Sequence, residues 1–165
     1  MELKLIPENS PSLRERSVDY DFTDGSAKEF AENLYKVMKR NDGLGISACQ
    51  VGHNVRAFAM RDDKTEPFVL FNPVVVNTSE NIVSMKEGCL SFPLLFLSVK
   101  RPDAVRIRYQ DYTGKIQTKQ FIGMTARIAL HELDHLDGIC YTDTASKFET
   151  ERALRKRMIL KRKVK

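Results

Sequence analysis

His131-Glu132-Leu133-Asp134-His135 is the stretch on which the fold turns, because its spacing makes a site only where the chain is helical. A helix repeats about every 3.6 residues, so side chains four apart point the same way. Two imidazoles at 131 and 135 can therefore grip one metal ion from one helical face. Glu132, beside the first of them, can take a proton from water on that ion, which describes a metallohydrolase. The chain has three histidines in all, and two of them sit here.

Working outward, the pattern predicts a helix from about Met124 to Leu136, closed by Gly138. Upstream, Val105-Arg106-Ile107-Arg108-Tyr109 alternates apolar and basic, the signature of a strand with one buried face. Asp111-Tyr112-Thr113-Gly114 then turns the chain into a partner strand over about Lys115–Phe121. Val55–Met60, Phe68–Phe71 and Pro73–Val76 read as further short strands between polar turns. An N-terminal helix is predicted from about Ser26 to Arg40. Ser26 and Glu29 suit a capping box there, and Ala27, Phe30, Ala31, Leu34, Val37 and Met38 form one stripe. A last helix, about Ser146 to Leu160, carries basic residues. Residues 1–22 read as irregular, with Pro7 and Pro11. The order helix, strands, helix, helix gives an α+β class: short mixed or antiparallel strands packed around a central metal-binding helix.

At 165 residues the chain suits one core, so a single metallohydrolase domain over 1–165 is expected. Hydrophobic residues at 42% and charged residues at 30% fit an ordinary globular protein and exclude a disordered chain. No run reaches the roughly 20 apolar residues of a membrane span. Met1–Leu5 lacks the basic start and apolar run of a secretory signal, so a cytoplasmic location is expected. Three cysteines (Cys49, Cys89, Cys140) are too few for a disulfide framework and fit a reducing compartment. Residues 151–165 hold eight basic side chains against one acid, a local +7, so residues 1–150 carry −2 of the net +5. Such a tail is either a solvated helix end or a dock for a polyanion such as ribosomal RNA.

Two histidines leave a metal short of a third protein ligand. An acid downstream, Asp137 or Glu149, would complete a zincin-like metallopeptidase. Upstream, Glu87-Gly88-Cys89-Leu90-Ser91-Phe92-Pro93 offers a thiolate, and Cys plus two His leaves one tetrahedral position for water.

Here the chain resembles a known family. Glu87–Pro93 looks like the EGCLS-type motif of peptide deformylases, and His131–Gly138 looks like their HExDHLxG motif. Gly43-Leu44-Gly45-Ile46-Ser47-Ala48-Cys49-Gln50-Val51-Gly52 is similar to their GxGLAAxQxG loop. The three motifs occur in the family's order, and the likeness runs roughly from Ser12 to Ser146. It implies Cys89, His131 and His135 as metal ligands, and Glu132 as general base and then general acid. Gln50, through its side-chain amide, and Leu90, through its backbone N–H, would meet the oxyanion. Gly45 would let a substrate backbone lie close, with Gly43 and Leu44 beside it; Ile128 and Met124, near the metal helix, read either as lining for a methionine pocket or as helical core. The implied substrate is the N-formylmethionyl end of a nascent peptide, and the products are formate and a free amine. One divalent metal per chain is implied, Fe2+ natively, with Zn2+, Ni2+ or Co2+ as alternatives. A monomer with no DNA or membrane partner is expected.

The chain departs from the family pattern in places. Leu130 stands where the family has glutamine, which predicts a lost hydrogen bond beside the ligands. Ile46-Ser47 replaces Leu-Ala, read as a small change in volume. Leu94-Leu95-Phe96-Leu97 is apolar where relatives carry polar residues, which bears on preference beyond methionine. Glu87 is expected to pair with an arginine, Asp134 to play a structural part, His53 to lie on the surface, and Cys49 and Cys140 to pack. A catalytically silent ribosome-binding relative is the remaining alternative.

Overall fold

The computed structural model describes residues 2–61 and 68–164, so Met1 and Lys165, the ends of the N-terminal and tail readings, lie outside the described residues. The helices are α1 (Ala27–Arg40), α2 (Met124–Leu136), α3 (Tyr141–Thr144) and α4 (Lys147–Lys163). The strands are β1 (Gly45–Ser47), β2 (Ala57–Met60), β3 (Val69–Thr78), β4 (Ile82–Cys89), β5 (Phe92–Pro102), β6 (Ala104–Gln110) and β7 (Ile116–Ile122). A five-stranded antiparallel sheet has the order β1-β2-β3-β6-β7, and β4 and β5 pair as a separate hairpin. This is the expected α+β class with a central helix.

Helix α2 sits where the periodicity put it because its apolar side has a sheet to cover. Ala126, Ala129, Leu133 and Leu136 pack on Phe58, Met60, Leu70, Val105, Ile107 and Phe121. Burying each large apolar side chain contributes about 1.5–3 kcal/mol, enough to fix which face of α2 is left for chemistry. Gly138 closes the helix at φ +74°, where a Cβ would come within 2.6 Å of the Arg14 carbonyl oxygen. In β6, Val105, Ile107 and Tyr109 are buried while Arg106 and Arg108 face outward, as the alternation requires. A second core joins α1 to β1 and β2 through Leu34, Met38, Ile46 and Ala59. A third joins β5 to α3 and α4 through Leu95, Leu97, Tyr141 and Ala153.

Several elements differ from expectation. The Ser26 capping box is not formed: its hydroxyl binds Asp24 Oδ1 at 2.7 Å, and residue 26 is already helical at ψ −4°. Asp24 captures it in an Asx-type turn, accepting the Ser26 N–H as well. The cap that does form is on α4, where Ser146 Oγ accepts the Glu149 N–H at 3.1 Å, and that helix runs on to Lys163. Phe68–Phe71 and Pro73–Val76 belong to one bulged strand, β3. Its register shifts after Phe71, where Asn72 takes φ +49° and its amide ties Tyr20 to Gln110. Pro11 opens a short 3-10 turn, Pro11–Arg14, within the segment read as irregular. The β4–β5 hairpin has no counterpart among the sequence-predicted strands. Among the described residues, no helix is long and apolar enough to cross a membrane.

Candidate active site

Helix α2 presents His131 and His135 one turn apart, with ring centroids separated by 5.0 Å. Cys89 reaches them from the end of β4, its Sγ 3.3 Å from His135 Nε2. Ligand atoms of Cys89, His131 and His135 all lie within 4.8 Å of one another. A register shift between Glu87 and Cys89 swings the thiol inward, a common use of a bulge. Asp137 is held instead by Arg56 at 2.9 Å, and Glu149 by the Ser98 N–H and Arg152. Of the sequence's third-ligand candidates, only Cys89 is brought to the histidine pair.

Behind the histidines lies a buried ionic cluster. Glu87 Oε2 accepts from His131 Nδ1 at 2.9 Å, while its Oε1 accepts from Arg127 Nη1 at 2.7 Å. Arg101 bridges Glu87 to Asp134, reaching the latter at 2.8 Å. Burial alone would raise the Glu87 carboxyl. Hydrogen bonds from His131 and Arg101, with the Arg101 charge, overrule it and hold the group at about 2. An ionised carboxylate on Nδ1 fixes the His131 tautomer and leaves Nε2 for a ligand. Glu87 thus has its expected arginine, two in fact, and also orients a histidine. Asp134 is structural as expected.

Leu130 packs against the sheet-facing core, and the glutamate below supplies the His131 hydrogen bond. Among the described residues, His135 Nδ1 is one of three buried side-chain polar atoms without a partner, with Ser17 Oγ and Thr150 Oγ1. His53 is exposed, edge-on to Phe30. Cys49 and Cys140 are buried, and burial pushes their thiols up to about 12 and about 11, in keeping with packing roles.

Glu132 is 4% exposed, and burial pushes its carboxyl up to about 7 despite the His131 charge and the Ser47 hydroxyl that lower it. Ser47 Oγ is 2.7 Å from Glu132 Oε2. The residue read as a small change in volume is therefore in contact with the candidate base. At Gly45 a Cβ would also fall 2.6 Å from Glu132 Oε1 and 2.9 Å from Ile128 Cγ2. Its bareness makes room for the protein's own carboxylate.

Gln50 is buried on the 3-10 turn Ala48–Val51, its Oε1 accepting the Ser47 N–H at 2.8 Å. Its Nε2 donates to Ser91 Oγ at 2.9 Å and lies 3.5 Å from Cys89 Sγ. Leu90 occupies the turn between β4 and β5, so close to Gly43 that a Cβ on the glycine would meet Leu90 Cδ1 at 2.6 Å. In front of these groups opens a cavity of about 410 Å³. Gly43, Leu44, Gly45, Ile128 and Met124 line it, with Leu95, Glu132 and His131. Sequence reasoning missed Ser47, Ser91, Arg101 and Arg127. The buried arginines had no local signal, since an isolated cation in a strand or helix reads as solvated.

Comparison with known proteins agrees with this geometry. Residues 3–151 match the profile of the family described as Polypeptide deformylase. A peptide deformylase of Maricaulis maris is 33% identical over 159 residues, covering 94% of this chain and 90% of that protein. The chloroplastic peptide deformylase 1B of Oryza sativa is 40% identical over 149 residues, and the match covers 87% of this chain but 55% of the plant protein. Among solved structures, the Synechococcus elongatus peptide deformylase in complex with actinonin superposes with a TM-score of 0.87 at 31% identity, covering 94% of this chain and 85% of that one. The Thermotoga maritima peptide deformylase gives 0.83 at 31%, covering 88% and 99%. With fold, site and sequence profile in accord over most of its length, the chain belongs to the polypeptide deformylase family.

Proposed function

We propose that this site removes the formyl group from the N-formylmethionyl end of newly made polypeptides. Cys89, His131 and His135 would hold one divalent ion, Fe2+ natively, with Zn2+, Ni2+ or Co2+ as substitutes. A soft thiolate with two imidazoles suits such an ion, and the Glu87 carboxylate behind His131 adds negative charge nearby. The observation that carries the reading is the convergence of those three groups beside a buried Glu132 at an apolar cavity.

When bound, the ion supplies the Lewis acidity that activates water near neutral pH and polarises the formyl carbonyl. Glu132 takes a proton from the attacking water and returns it to the departing nitrogen, so formate and a free amine leave. Burial, which favours the protonated carboxyl, suits a group that must take up a proton and hold it until it is returned. Negative charge on the formyl oxygen is met by the Leu90 N–H and by Gln50 Nε2, whose longer contact, at 3.5 Å to Cys89, is the one that can turn. Leu44, Met124 and Ile128 receive the methionine side chain.

The metallopeptidase reading lacks its third ligand, since Asp137 and Glu149 are engaged elsewhere. We expect one cytoplasmic, monomeric domain, with the basic α4 as a salt-sensitive dock for ribosomal RNA. Formate release from formyl-Met-Ala-Ser, measured with metal content, tests the reaction.

A further inference from the structure

The active-site cavity shares part of its wall with a second one beside the β4–β5 hairpin. Lys86, Leu94 and Phe96 close its outer side and also line a second cavity of about 290 Å³ between the hairpin and α4. Phe96, 55% exposed, forms the shelf between the two. Its ring lies against Gly88, where a Cβ would meet Phe96 Cε1 at 2.9 Å. Leu94 stands on the same rim at φ +62°, a backbone conformation that a bulky residue adopts only under constraint.

The far wall of the second cavity belongs to α4. Arg152 and Lys156 face it, with Leu160 as an apolar end and Glu149 as its one carboxylate. That carboxylate is occupied: the Ser98 N–H donates to Oε1 at 3.2 Å, and Arg152 reaches Oε2 at 3.2 Å. Arg152 itself remains 64% exposed. Among the described residues, three cations, counting Lys86, thus border an apolar shelf against one engaged acid.

We propose that this groove receives the stretch of peptide that leaves the active-site cavity, and that it favours acidic side chains there. The inference rests on the deformylase reading for the peptide's origin. The wall that the two cavities share at Lys86, Leu94 and Phe96 gives the path, and the positive charge among the described lining residues gives the preference. Exposed ion pairs are individually weak, so the expected preference is modest and belongs to binding rather than to the chemical step.

The test compares formyl-Met-Ala followed by four glutamates with formyl-Met-Ala followed by four lysines, using the metal-loaded full chain. At low salt the acidic peptide should show a KM about fivefold lower, with kcat unchanged, and added salt should close the gap. Arg152→Gln with Lys156→Gln should abolish the preference, as should Lys156→Glu partly on its own. Removal of two exposed cations that line neither cavity, Lys28→Gln with Lys36→Gln on α1, should preserve it. Formyl-Met-Ala alone should be processed equally by all of these proteins.

Equal KM values in the unaltered protein, or a preference that survives the α4 changes, overturns the proposal. Absence of formate from every peptide would instead reject the deformylase reading. The groove is then judged by fluorescence anisotropy of labelled, unformylated peptides of the same two sequences: acid preference dependent on Arg152 and Lys156 supports it, and equal affinity overturns it.

Discussion

Ser47 Oγ lies 2.7 Å from Glu132 Oε2 and 2.9 Å from the carbonyl oxygen of the same residue. The single proton of that hydroxyl, at the end of β1, has the backbone carbonyl and the carboxylate of one α2 residue as its acceptors. The contact stabilises the ionised carboxylate against the burial that raises it. Since the base must be ionised to accept a proton, activity should fall as pH drops below about 7. Ser47→Ala should move that acid limb to higher pH and lower kcat about tenfold, with the metal retained. A pH profile of kcat/KM for the two proteins checks this, and superimposable profiles would show that the hydroxyl is idle.

Glu87 anchors the ionic cluster, so Glu87→Ala should be severe. It leaves Arg101 and Arg127 buried without their shared carboxylate, a loss of about 3–5 kcal/mol. It also removes the acceptor that orients His131, so metal affinity should fall roughly 10–100-fold. The pH dependence has a definite sign. The folded carboxyl is held at about 2 against an ordinary 4.5, so its stabilisation is complete above 4.5 and is lost as pH falls towards 2. Thermal unfolding should show this acid slope, and Glu87→Gln should flatten it.

Cys89→Ala should leave the purified protein without stoichiometric metal, because two imidazoles alone hold a divalent ion weakly. Asp137→Ala and Glu149→Ala should keep it, since both acids pair elsewhere. Elemental analysis of the three variants decides between the ligand sets.

Gly45→Ala should fold and bind metal yet lose about 100-fold in kcat. The added methyl meets Glu132 Oε1 at 2.6 Å, and a displacement near 1 Å at a reacting group costs about that much. A variant with unchanged kcat would mean that Glu132 yields freely.

How much of this was legible beforehand varied with the range of the interactions. Helix α2 was plain because Ala126, Ala129 and Leu133 repeat at helical spacing and the histidines share the other face. β6 was plain because its alternation is local. The β4–β5 hairpin was not, because Ile82 and Met85 face solvent and Glu87, a charge, is the buried residue of β4, the reverse of a strand signal. Ser26 and Glu29 had the right spacing for a cap, but Asp24 competed for the hydroxyl. The three ligand-type residues could be named from their motifs. Ser47, Arg101 and Arg127 act through partners 85, 14 and 40 positions away in sequence, which no local pattern encodes.

The central claim is that Glu132, beside the Cys89–His131–His135 set, drives deformylation. It is tested most directly by formate release from formyl-Met-Ala-Ser, using anaerobically purified protein of known metal content beside Glu132→Ala. The account predicts formate from the unaltered chain carrying about one metal, and almost none from the equally metallated variant. Equal release by both proteins, or none from a fully metallated unaltered chain, would contradict it.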